Sequence, residues 1–150
     1  MANAKKNNVL FVSVDQWPGH LLGIAGRRDI DTPTLDQLAR NGVRFTNCIS
    51  ECPICIPARR SMMTGTDPRT HGDRVFTPDM TMPDLPLLAE TFRNAGYQTG
   101  AVGKLHVYPS RNRIGFEEMV SFEEGRPQLG GPDDWELFLA DHGEAGNGYA

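Results

Sequence analysis

The stretch Cys55-Ile56-Pro57-Ala58-Arg59-Arg60-Ser61-Met62-Met63-Thr64-Gly65 decides how this chain is read. Proline at its third position suits the first turn of a helix, where the missing N–H costs nothing. The residues that follow continue the helix, and Gly65 ends it. Cys55 is therefore expected just ahead of a helix N-terminus, where unsatisfied N–H groups and the helix dipole favour negative charge. Arg59 adds a permanent cation. Such a site suits an anionic nucleophile and an oxyanion substrate.

Outward from that helix the chain alternates strand and helix. Val9-Leu10-Phe11-Val12-Ser13-Val14 is almost continuously apolar, which predicts a strand buried on both faces of a parallel sheet. Thr32 is a predicted N-cap with Pro33 at the first helical position. Leu35, Leu38 and Ala39 form the apolar stripe of that helix, and Gly42 stops it. Residues 43–47 alternate like a second strand. The Gly-, Pro- and Asp-rich stretch 66–83 predicts an irregular loop. Leu85, Leu88 and Phe92 mark a helix closed by Gly96, and residues 97–102 the next strand. Asp133 or Asp134 caps a last helix with Trp135, Phe138 and Leu139 on one face. There is no internal repeat. The alternation predicts an α/β fold, a mostly parallel sheet sandwiched between helices. Function is expected at the carboxyl ends of its strands, where Asp15 and Lys104 fall.

Cys55-x-Pro57-x-Arg59, followed by Met62-Met63-Thr64-Gly65, resembles the first signature of the sulfatases, in which the cysteine is oxidised to formylglycine. Gly96-Tyr97-Gln98-Thr99-Gly100-Ala101-Val102-Gly103-Lys104-Leu105-His106 is similar to their second signature, whose Lys and His line the sulfate pocket. Asp15-Gln16 stands at a strand end, as the first metal ligand does in that family. Three matches in the right order, over about residues 8–107, make the resemblance strong. It implies an alkaline phosphatase-like α/β fold, here incomplete, with residues 1–150 as the N-terminal portion of a sulfatase catalytic domain. It implies a sulfuric ester hydrolase acting on a small-molecule sulfate ester. Cys55, Arg59, Lys104 and His106 would be catalytic, and Asp15, Gln16 and the oxygen at position 55 would hold one divalent metal, Ca²⁺ before Mg²⁺ or Mn²⁺. Maturation would need a formylglycine-generating enzyme as partner. Many sulfatases have Asp where this chain has Gln16, and a smaller residue where it has Ile56.

Composition bounds the remaining classes. A chain of 150 residues with net charge −4 shows no basic footprint for nucleic acid or an anionic membrane. The apolar run at residues 9–14 is too short for a signal peptide, and no stretch could span a bilayer. Three cysteines argue against a secreted disulfide scaffold, so a cytoplasmic location is the expectation.

Other readings compete at several positions. Cys48-x3-Cys52-x2-Cys55 has the spacing of iron–sulfur ligation in radical enzymes dependent on S-adenosylmethionine. That family has an aromatic residue where this chain has Ile54, and the match leaves Pro57, Arg59 and Lys104-Leu105-His106 unexplained. Cys48 and Cys52 are then expected to be packed, unreactive thiols. Asp141-His142-Gly143-Glu144 is similar to a late sulfatase ligand run, but it follows an amphipathic helix and reads as that helix's end. His71-Gly72 is similar to a His-Gly that follows the first sulfatase signature, and a role in ordering the loop is an equal alternative. Phosphonate monoester or phosphodiester hydrolysis at the same site is the alternative activity. A truncated, non-catalytic fragment is the alternative from another class, and the 150-residue chain alone is expected to be inactive.

Overall fold

The computed structural model describes residues 6–75, 77, 79–144 and 146 and divides at Ile49 into two units. In the first unit, Pro33 opens helix α1 (Pro33–Asn41) after a 3-10 turn at Gly23–Ala25. Thr32 precedes α1 but makes no side-chain cap to it. Its hydroxyl instead donates to Asp36 Oδ1 at 2.8 Å and accepts the Gly23 N–H at 2.9 Å. Asp36 also accepts the Ile24 N–H at 3.0 Å. That bond, and then the one from Thr32, hold the Asp36 carboxyl below the usual carboxylate range. The network ties the turn to the start of the helix.

The two strands predicted in this unit do not form. Residues 9–14 and 43–47 join no sheet ladder among the described residues, and Val9, Leu10, Phe11, Val12, Val43 and Phe45 are exposed. The physical reason is pairing: a strand apolar on both faces is stable only between neighbours that satisfy its backbone and cover its side chains.

The second unit holds a core. Helix α2 (Cys55–Thr64) ends at Gly65, whose φ of 66° lets its N–H close on the Ser61 carbonyl at 2.8 Å. Cys55 is the first helical residue rather than a position ahead of the helix. The stretch predicted to be irregular contains α3 (Pro68–His71), which Asp67 caps by accepting the Thr70 N–H at 2.8 Å. Helix α4 (Leu88–Asn94) begins after Leu85, the residue expected to start it. Strands β1 (Gly100–Gly103) and β2 (Glu118–Ser121) pair in parallel, with Gly100 opposite Glu118 and Gly103 opposite Ser121. Met63, Leu105, Val107 and Ile114 are the buried cluster, with Met82, Leu87, Phe116 and Met119 packed on it. Beneath α2 the Arg60 Nε lies 2.7 Å from Asp73 Oδ2, in a pair 3% and 0% exposed. Arg60 also donates to the carbonyls of Thr81, at 2.7 Å, and Met80. It thus ties the helix to the segment ahead of α4.

Helix α5 (Asp134–Asp141) carries a full capping box. Asp133 accepts the Glu136 N–H and Glu136 accepts the Asp133 N–H, both at 2.9 Å. Trp135 stacks on Phe138 at 5.6 Å and meets Phe122 edge-on at 6.4 Å. Asp141 closes the helix, and His142 Nδ1 lies 2.8 Å from the Phe138 carbonyl oxygen, as a helix end does. No described helix is long and apolar enough to cross a membrane.

Candidate active site

Because β1 and β2 run in parallel, their carboxyl ends share one edge of the sheet, and the segments that leave them meet there. Gly103, with φ of 107°, turns the chain out of β1. Lys104 and His106 therefore lie beyond the strand, not on one face of it as an unbroken alternation would place them. His106 itself has a φ of 58°. The segment leaving β2 is Phe122-Glu123-Glu124-Gly125-Arg126.

Helix α2 brings the thiol to this edge. Lys104 Nζ lies 3.9 Å from Cys55 Sγ, and Arg59, one helical turn further on, donates through Nη1 to the Lys104 carbonyl. Cys55 is half-buried and not disulfide-bonded. Its place at the first position of α2 gives it the positive end of the helix dipole in addition to the Lys104 ammonium. Lys104 also pairs with Glu124 Oε1 at 3.1 Å, and Arg126 holds the other Glu124 oxygen at 2.7 Å. The Arg126 hydrogen bonds, followed by those from Lys104, keep the Glu124 carboxyl below its usual range.

His106 is 4% exposed, and neither ring nitrogen has a hydrogen-bond partner among the described residues. Burial lowers its pKa from 6.5 to about 4, assisted by the charges of Lys104, Arg126 and Arg59. A neutral imidazole at working pH can accept a proton or donate one from its N–H. Cys55, Arg59, Lys104 and His106, separated by up to 51 positions in sequence, thus belong to one neighbourhood of the second unit.

Asp15 and Gln16 belong to the first unit; both are exposed, and Gln16 has a φ of 56°. As hard oxygen donors they match Ca²⁺ in kind, but two side chains fall short of the six or more oxygens such an ion takes. No group of three or more His, Cys, Asp and Glu suited to a metal occurs among the described residues.

His71 is a fastening. It accepts the Asp73 N–H on Nδ1 at 3.2 Å, so Nε2 carries the proton it shares with Ser61 Oγ at 3.0 Å. Ser61 therefore faces a donor rather than a base, and the pair ties α2 to α3. Cys52 points its thiol at the Arg74 carbonyl, 3.7 Å away, whereas Cys48 is exposed rather than packed as expected.

Glu123, Glu124 and Arg126 were not evident as site residues from the sequence. A Glu-Glu-Gly-Arg run is ordinary for a surface loop, and the one signal, a strand immediately before it, was hidden by the shortness of β2.

A helix N-terminus presenting a thiol, with cations and a buried histidine gathered beyond a parallel strand edge, makes an α/β unit whose local charge suits an oxyanion. Comparison with known proteins specifies the class. A sulfatase family model matches residues 7–145. The chain is 37% identical over 115 residues to an arylsulfatase of Clostridium perfringens, covering 77% of this chain and 24% of that protein. It is 39% identical to an ulvan-active sulfatase of Formosa agariphila over 79% of this chain and 24% of that protein. The solved structure of Ps i-CgsB superposes with a TM-score of 0.63 at 33% identity, over 69% of this chain and 25% of that one. The chain belongs to the sulfatase family, and it spans about a quarter of the length of these relatives.

Proposed function

We propose that the protein carrying this chain hydrolyses sulfate esters of small alcohols or phenols, with position 55 as the nucleophile after conversion of Cys55 to formylglycine. The observation that carries this reading is the placement of Lys104 Nζ 3.9 Å from Cys55 Sγ at the start of α2. Sulfatases generally use a formylglycine and a divalent metal. The hydrated aldehyde supplies an oxygen nucleophile where a thiol stood. A divalent metal, Ca²⁺ in this reading, would supply Lewis acidity toward the sulfate oxygens, and Asp15, Gln16 and an oxygen at position 55 are the groups this chain would offer to hold it.

The remaining work falls to side chains. Lys104 and the N-terminus of α2 bind the sulfate oxygens and stabilise them as charge redistributes toward the leaving oxygen. Arg59 adds positive charge and, through its bond to the Lys104 carbonyl, keeps Lys104 beside position 55. His106, neutral at working pH, holds or delivers the proton that the departing alcohol needs. Among the described residues no further group of metal ligands joins Asp15 and Gln16, and a non-catalytic fragment is the expectation for this chain alone.

The test is chemical and then kinetic. After co-expression with a formylglycine-generating enzyme, the peptide containing Cys55 should lose sulfur and be captured by a hydrazide, as read by mass spectrometry. An unmodified thiol, with the maturing enzyme active on another target, would overturn the assignment. In the whole protein, Cys55→Ala should abolish cleavage of an aryl sulfate. Faster cleavage of a phosphonate or phosphate diester than of the sulfate would hand the site to the alternative activity.

A further inference from the structure

The segment after β2 contains two neighbouring glutamates with different tasks. Glu124 faces Lys104 and Arg126. Glu123 is 2% exposed and turns inward, where its carboxylate accepts the Leu105 N–H at 2.8 Å and the His106 N–H at 3.0 Å on each oxygen. Its own N–H donates to Asp133 Oδ2 at 2.5 Å, and Asp133 is the residue that caps α5. The cap of α5, the Glu123 backbone, the Glu123 carboxylate and the His106 backbone thus form one connected series.

The end of that series is a strained residue. His106 has a φ of 58°, a region that a residue with a β-carbon occupies when its surroundings hold it there. In such a turn the N–H groups of successive residues point to one side, and an anion between them is the natural occupant. Glu123 is that anion, supplied by the chain itself. Burial raises its pKa, and the N–H groups of Leu105 and His106 pull in the opposite direction. A backbone fixed at His106 also fixes the Cα–Cβ direction, so the imidazole stays among Lys104, Arg59 and Arg126.

We propose that Glu123 is a positioning residue that holds the left-handed turn at His106 and thereby aims the imidazole into the site beside Lys104. This rests on the reading of His106 as a proton-handling residue, and it adds the group through which that histidine is placed. Glutamine keeps one acceptor oxygen but turns an NH₂ toward an N–H, so it preserves only part of the arrangement. Alanine removes all of it.

Isotope-labelled chain, compared by NMR among wild type, Glu123→Gln, Glu123→Ala and Ser121→Ala, decides the matter. Ser121 bonds Asp134 and not the 105–106 backbone, so its variant loosens the β2–α5 contact while leaving the proposed device intact. In Glu123→Ala the His106 carbon shifts and amide coupling should leave the left-handed pattern. The Leu105 and His106 amides should lose about tenfold or more in exchange protection relative to Val107, as removal of a hydrogen bond to a charged acceptor predicts. Glu123→Gln should fall between, and Ser121→Ala should change neither readout. If Glu123→Ala does not fold, Glu123→Gln carries the same comparison. The proposal is overturned if His106 keeps its left-handed signature and protection without the carboxylate, or if Ser121→Ala disturbs them equally. In the formylglycine-bearing whole protein, Glu123→Gln should lower kcat for an aryl sulfate with KM unchanged. An unchanged kcat overturns the proposal. If the wild type cleaves no sulfate ester, the functional reading fails by itself, and the NMR comparison still decides whether Glu123 positions His106.

Discussion

Leu10 in the first unit is 88% exposed and Met63 in the second is 6% exposed, although each sits in a stretch that reads as interior. Among the described residues of the first unit only Thr32 is buried, whereas the second unit buries Ile56, Met63, Ala89, Leu105, Val107, Ile114 and Leu129 around paired strands and three of its helices. The difference lies in partners rather than in hydrophobicity. Residues 53–64 include a helix, whose backbone bonds are internal, so one apolar face suffices to bury it. Residues 9–14 would need strand neighbours on both sides, and nothing local supplies them. A partly buried site follows from the first situation: His106 and Glu123 are buried, Cys55, Arg59 and Lys104 half-buried, and all five belong to the second unit.

The contrast is most open to attack at the buried ion pair of the second unit. Arg60 Nε and Asp73 Oδ2 are in contact at 2.7 Å but without hydrogen-bond alignment, and neither is accessible to water. Asp73→Asn leaves a buried guanidinium uncompensated and should cost about 3–5 kcal/mol in urea unfolding of the chain. The double change Arg60→Met with Asp73→Leu should recover most of that loss. Met63→Ala, which opens the core beside Leu105, should cost about 2–5 kcal/mol. Small losses in both experiments would mean that the second unit is no better packed than the first.

His106 gives the same contrast a pH axis. Its pKa is about 4 in the fold against an ordinary value of 6.5, so between these limits the unfolded chain binds the proton and the folded chain does not. Stability should therefore fall as pH is lowered from about 6.5 to 4, by roughly 3 kcal/mol from this group alone. Glu123 acts with the opposite sign, because burial raises its pKa and its unfolded form releases a proton first as pH rises. The His106 share is isolated by comparing wild type with His106→Gln over that window. Equal pH slopes in the two proteins would show that the imidazole is not desolvated.

What the sequence made legible follows the same division. The helix boundary at Gly65, the cap of α5, narrowed to Asp133 or Asp134, and the helix end at Asp141 depend on residues within a few positions of one another, and local reading reached them. Lys104 and His106 were found through a motif, yet their geometry was not, because the turn at Gly103 ends the strand before them. Strand β2 is four residues long and begins with Glu118, too short and too polar for alternation to register. Glu123 became visible only through its placement across the strand edge from Leu105 and His106. No local pattern encodes a carboxylate that reaches 17 and 18 residues back to the backbone.

The smallest expected effect tests the other half of the comparison. Leu10→Ser changes an apolar side chain to a polar one in the middle of a run that, by pattern alone, reads as core. A leucine with most of its surface in water loses little by the change, so the chain's unfolding free energy should move by no more than about 0.5 kcal/mol. The same substitution in a strand buried on both faces would remove its full transfer free energy and cost several times more. The measurement is a pair of urea titrations, wild type and Leu10→Ser, read by circular dichroism with Met63→Ala as the scale. A Leu10→Ser loss as large as that of Met63→Ala would mean that residues 9–14 are covered in solution. Repeating the pair in the whole protein sharpens the result. If the loss stays small in the chain but grows to the Met63 scale there, the run is a strand in waiting, with its neighbours supplied by sequence outside these residues.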